Sequence, residues 1–236
     1  MSDDALRVYK DIKEYCDTYN VPLEYFMDIL EDQKVVPMIR GKATEFIGAV
    51  VLKRVLDTRD WVVEKLNLNA QPGVYDEDVS IIHRRTGLRL RAETKNAVRG
   101  KFSLGTRKTP APHFTVKCHK SRSHMTRERN DRYLATDFDV LLCSVSNSIF
   151  RSTRHRGLPL IDDAETLKWL KNHYGVTNDG ELRRATYDDW RVCIPSDIAE
   201  EGNTIPRTPR VLMIGDPAWF VLDQLEARLR DLINNE

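Results

Sequence analysis

Leu6, Tyr9, Ile12, Lys13 and Cys16 fall at helical spacing, so the chain is expected to open as a helix, with Asn20 as its stop. Pro22 opens a second helical stretch, Leu23 to Leu30. Pro37 is expected to break the pattern before a third helix from about Lys42 to Leu56. Alternating or β-rich runs follow at Asp78–His83, Leu88–Asn96, Phe114–Lys117 and Val140–Val145. Gly100, Gly105, Pro110 and Pro112 mark a loop between the second and third of these. Asp162 and Asp163 cap a helix reaching about His173, and Arg191–Ile194 and Arg210–Ile214 read as short strands. Asp216 as N-cap and Pro217 at the first helical position introduce a closing helix with the stripe Leu222, Leu225, Leu229 and Leu232. The pattern predicts one α/β domain over residues 1–236. Residues 1–36 form its helical N-terminal layer, 40–150 a core with a mixed central sheet, and 151–236 the remaining elements.

Composition narrows the class. The chain has 236 residues, 41% of them hydrophobic and 31% charged, as in a globular protein able to bury a core without disulfides. No apolar run is long enough for a transmembrane helix, and the acidic start Met1-Ser2-Asp3-Asp4 does not resemble a secretory signal. Cys16, Cys118, Cys143 and Cys193 form no CxxC pair, which points to reduced thiols and a cytoplasmic location. The net charge of +1 conceals a strong segregation. Residues 84–132 hold fifteen Lys and Arg against three acids, a local balance of +12, and the remaining chain carries −11. Such a segment is suited to a polyanion partner.

The chemistry concentrates at residues 78–96. Two β-type runs flank a turn near Arg85-Thr86-Gly87 and read as a hairpin. Along the second run Arg89, Arg91, Glu93 and Lys95 share one face; Asp78, Ser80 and Ile82 share a face of the first. With the turn centred between Arg85 and Thr86, paired residue numbers sum to 171 and Asp78 lies opposite Glu93. Two facing carboxylates repel, and a divalent cation with a preference for oxygen ligands, such as Mg²⁺, removes that penalty. Lys95 adds positive charge where a scissile phosphate or attacking water would sit. Metal-assisted phosphodiester hydrolysis is the chemistry this set fits. In the preceding helix Glu45 heads the row Glu45, Gly48, Ala49, Leu52 and Leu56, so it is expected to face the sheet and to need a partner, either a metal site or Lys95.

Glu45 on a helix, Asp78 opening a strand and Glu93-Thr94-Lys95 on the next strand, in that order, resemble the PD-(D/E)XK nuclease superfamily, and within it the type II restriction endonucleases. The run Asp137 to Leu142 resembles the later core strand of these enzymes, and the likeness covers about residues 40–150. The chain departs from the pattern in lacking a proline before Asp78, and Asp76, of equal strand parity, is the rival first acid. The resemblance implies a restriction-endonuclease-like α/β core with a mixed sheet flanked by helices. It implies Asp78, Glu93 and the Thr94 carbonyl as Mg²⁺ ligands, Lys95 as the group that orients the water or stabilises the transition state, and Glu45 in an outer position or at a second metal. It also implies a homodimer that cuts both strands of double-stranded DNA, with a cognate DNA methyltransferase as functional partner.

The candidates for DNA contact are Arg99, Lys101, Arg107, Lys108, Lys117, Lys120, Arg122, Arg127, Arg129, Arg151, Arg154 and Arg156. Some are expected to neutralise phosphates and others to read base edges. Cys118, His119, His124 and His113 fit no common zinc spacing. Three functions compete: a sequence-specific endonuclease, a repair or recombination nuclease that reads DNA structure, and a DNA-binding protein without turnover. The intact acidic pair and lysine favour an enzyme, and the length of chain beyond residue 150 favours sequence recognition.

Overall fold

A computed structural model describes residues 2–65, 78–119, 131–151 and 157–234. The chain divides into an N-terminal unit ending at Lys42 and a larger unit from Ala43 onward that holds the sheet. In the first unit, helix α1 (Asp3–Tyr19) is capped by Ser2, whose hydroxyl accepts from the Ala5 amide. It ends where expected, at Asn20, whose φ of 52° is the left-handed conformation of a helix C-cap. A 3-10 turn (Leu23–Tyr25) and a short helix α2 (Phe26–Leu30) follow. Helix α3 (Val35–Val55) starts earlier than its sequence suggests. Pro37 does not break it, because Pro37 falls in the first turn, where an amide has no helical acceptor to lose. Gly48, Ala49, Leu52 and Leu56 are buried as the apolar row requires.

Eight strands form the sheet: β1 (Trp61–Glu64), β2 (Val79–His83), β3 (Arg89–Ser103), β4 (His113–Val116), β5 (Val140–Ser144), β6 (Trp190–Cys193), β7 (Arg210–Leu212) and β8 (Phe220–Val221). The main path runs β1-β2-β3-β5-β6-β8, with β4 pairing β3 and β7 pairing β4. Among the described residues only β3 and β5 are parallel, so the sheet is mixed. The β2–β3 hairpin has the expected register, with Val79 opposite Ala92, Ser80 opposite Arg91 and Ile82 opposite Arg89. Gly87, at φ 72°, closes its turn, and its amide donates a hydrogen bond to the His83 carbonyl.

Strand β3 departs from expectation. It does not end near Asn96, and Gly100 lies inside the strand rather than in a loop. The pairing with β4 shifts between Ala97 and Phe102, and Gly100 at φ 63° absorbs the irregularity. A Cβ there would come within 3.4 Å of the Phe150 carbonyl oxygen, a further reason for glycine.

Helices cover both faces. On one side α3 and α6 (Leu225–Asn234) bury Leu52, Leu225 and Leu229 with Val79, Ile81, Val140 and Leu142. On the other, α4 (Ala164–Tyr174) and α5 (Asp179–Asp188) contribute Leu170 and Leu182 to a core with Leu141, Cys143 and Phe150. Strand β5 is thus buried on both faces, and its residues alternate between the two cores. Asp163 caps α4 as expected, whereas α5 with its Asn178–Glu181 capping box, and the four-residue strand β1, were not anticipated. Asp216 and Pro217 do not open the closing helix. The Asp216 carboxylate instead accepts from the Leu212, Ala218 and Trp219 amides, folding a turn before β8, and α6 begins only at Leu225. The molecule is α/β, with a mixed multi-stranded sheet flanked by helices. Among the described residues no helix is long and apolar enough to cross a membrane.

Candidate active site

The ladder of the β2–β3 hairpin sets the geometry. The His83 amide bonds to the Leu88 carbonyl, so hydrogen-bonded pairs recur at every second step: Ile81 with Leu90, then Val79 with Ala92. Continued one residue beyond β2, the same register would set Asp78 opposite Glu93 at a non-hydrogen-bonded position, the kind where facing Cα atoms approach to about 4.5 Å. The same alternation turns the Thr94 N–H and C=O toward the β2 side. Asp78 uses this: its Oδ2 accepts from the Thr94 amide and from the Thr94 hydroxyl, both at 2.8 Å. The carboxylate therefore closes the ladder where β2 begins. These two bonds leave Oδ1 as the oxygen to offer a cation.

Asp78 is 8% exposed. Burial, and next the negative charge of Glu93, push its pKa up to about 7, while Lys95 and the Thr94 amide act in the opposite direction. Lys95 donates to Glu93 Oε1 and, at 3.2 Å, to the hydroxyl of Tyr133, which donates in turn to Glu93 Oε1 at 3.1 Å. The Lys95 ammonium also lies 5.1 Å from the Tyr133 ring centroid. Burial alone would lower the Lys95 pKa, but Glu93, Tyr133 and Asp78 together outweigh it and the group stays protonated. Burial and Glu93 raise the Tyr133 pKa, so its hydroxyl keeps its proton for Glu93.

Glu45 is half-buried on α3 beside this group, and its charge contributes to the raised pKa of Asp78. Its Oε2 accepts from Lys65 at 2.8 Å, and the same ammonium donates to the Asp78 carbonyl at 3.0 Å. Helix and strands are held in place by small contacts: Asn96 donates to the Thr44 hydroxyl at 2.6 Å, and Gly48 lets α3 approach Thr94.

The structure thus brings Asp78, Glu93, Thr94, Lys95 and Glu45 into one region, and adds Lys65 and Tyr133, which the sequence did not single out. Lys65 follows a strand too short to show alternation, and Tyr133 lies in an irregular segment with no period. Among the described residues, no three acidic, histidine or cysteine side chains gather as a complete ligand set. Two carboxylates with one main-chain carbonyl nevertheless fit a small hard cation such as Mg²⁺, which retains several waters.

Of the basic candidates, Arg99 and Lys101 are on β3, Arg107 and Lys108 are exposed between β3 and β4, and Lys117 is exposed after β4. Arg151 is exposed and pairs with Asp162. Lys120, Arg122, Arg127, Arg129, Arg154 and Arg156, with the rival acid Asp76 and His124, lie outside the described residues. His113 is buried and contacts the Ala111 carbonyl, and Cys118 is buried with its thiol pushed up to about 12 by desolvation. Comparison with protein-family models, with curated proteins and with solved structures gave no match.

Proposed function

We propose that this protein is a Mg²⁺-dependent endonuclease that hydrolyses double-stranded DNA at a specific sequence, a type II restriction enzyme with a PD-(D/E)XK core. The observation that carries this reading is the β2–β3 register, which continued by one residue sets Asp78 opposite Glu93, together with the Lys95 contact to Glu93. Asp78 and Glu93 would hold the ion, with the Thr94 carbonyl as a further ligand. Bound Mg²⁺ supplies a water of lowered pKa and charge neutralisation at the phosphate. Lys95, protonated at neutral pH, orients that water or stabilises the negative charge that develops on the phosphoryl oxygens. Tyr133 fixes the Lys95 ammonium against Glu93, so little reorganisation is needed when substrate arrives.

The basic segment holds the duplex through its phosphates, with some arginines reading guanine edges. Cleavage of both strands calls for a homodimer, and protection of the host genome calls for a cognate methyltransferase. Such an enzyme acts in the cytoplasm. Incubation of the protein with phage DNA and Mg²⁺ tests the reading. Discrete fragments support it. Cutting confined to branched or damaged DNA favours a repair or recombination nuclease, and retarded but intact DNA favours a binding protein without turnover.

A further inference from the structure

Lys65 has no role in the chemistry above, yet its ammonium connects two parts of the site. The β1–β2 register pairs Glu64 with Ser80, so Lys65 and Asp78 stand where the two strands diverge. Lys65 donates to the Asp78 carbonyl and to Glu45 Oε2, and its ammonium lies 5.1 Å from the Phe46 ring centroid. The Lys65 and Glu45 side chains are 14% and 17% exposed. An ion pair this shielded carries a desolvation penalty that weighs against its net contribution to stability, so stability alone is a weak reason for it.

We propose that Lys65, oriented by Glu45, is a positioning residue that fixes the Asp78 main chain and so sets the first metal-binding carboxylate against Glu93. This rests on the reading of Asp78 and Glu93 as a metal site. Asp78 is then pinned twice, its carbonyl by Lys65 and its carboxylate by Thr94. Glu45 acts through Lys65 and does not itself ligate the ion. The acid on the helix serves the metal one contact removed, as outer partners do when they orient ligands.

The test uses the whole chain and Mn²⁺ alone, with free Mn²⁺ followed by electron paramagnetic resonance and no DNA present. The wild-type protein binds Mn²⁺, and Asp78→Asn loses that binding. Lys65→Met weakens binding about tenfold, the usual scale for an outer-shell partner, and Lys65→Arg recovers most of it. A double variant, Glu45→Gln with Lys65→Met, removes both buried charges and so avoids the instability of a lone carboxylate. It is expected to bind Mn²⁺ as weakly as Lys65→Met and no more weakly. Wild-type affinity in Lys65→Met or in the double variant overturns the proposal while leaving the metal site standing. A further tenfold loss on adding Glu45→Gln also overturns it, since Glu45 would then be a ligand. Absence of Mn²⁺ binding by the wild-type protein removes the metal site, and the role of Lys65 with it.

Discussion

Asp78 carries the clearest consequence of the site. Its carboxyl has a pKa of about 7 in the folded chain against 3.8 as the ordinary value, so between these limits the folded form binds a proton that the unfolded form does not. The stability this contributes is fully present below pH 3.8 and is lost as pH rises through 7. The metal-free protein is therefore expected to lose on the order of 2–4 kcal/mol of unfolding free energy between pH 5 and 8. Urea titrations should show this loss, 10 mM Mg²⁺ should reverse it, and Asp78→Asn should flatten it. Metal binding has the opposite slope, because the ligand must be deprotonated: half-saturating Mg²⁺ should rise as pH falls below 7. Lys95→Ala should bind DNA with little change and cleave it about a hundredfold or more slowly, the scale for loss of one transition-state donor. Full activity in that variant would remove Lys95 from the mechanism. Tyr133→Phe, which deletes one hydrogen bond to Glu93, should lower the cleavage rate about tenfold without altering DNA affinity.

At the scale of elements, the hairpin was legible because its two runs alternate cleanly and a glycine marks the turn, so parity alone gave the register seen from Val79–Ala92 to Ile82–Arg89. The helical row of Glu45 was legible for the same reason. What escaped was set by tertiary contact. Gly100 reads as a loop residue and serves as a bulge because Phe150 approaches its backbone. Asp216 has the chemistry of a helix cap, and its three amide donors use that chemistry in a turn. Lys65 and Tyr133 could be found only once β1 and the chain around residue 133 were seen beside Glu45 and Glu93. The contact of α3 with β3 is testable by substitution. A Cβ at Gly48 would stand 2.5 Å from Thr94 Cγ2, so Gly48→Ala must displace the side chain that bonds Asp78. It should destabilise the protein by about 1–3 kcal/mol and weaken Mg²⁺ binding. Gly41→Ala, where a Cβ meets nothing within 4 Å, should do neither. Thermal melts and Mn²⁺ titrations of the two variants separate the cases.

For the molecule as a whole, an almost neutral chain divides its charge so that residues 84–132 carry +12. Duplex affinity should fall steeply with salt, by about a thousandfold between 50 and 200 mM if six phosphates are neutralised. A weak salt dependence would mean that the basic segment does not hold DNA. Arg99, Lys101 and the exposed Arg107, Lys108 and Lys117 extend this charge along and beyond β3, the strand that also carries Glu93 and Lys95. Under the proposed function, binding and chemistry share one element. The most direct measurement is a Mn²⁺-soaked crystal examined by anomalous diffraction. The account requires a peak about 2.0–2.3 Å from oxygens of both Asp78 and Glu93, with the Thr94 carbonyl as a further ligand. A peak at other residues, or no peak, would contradict it.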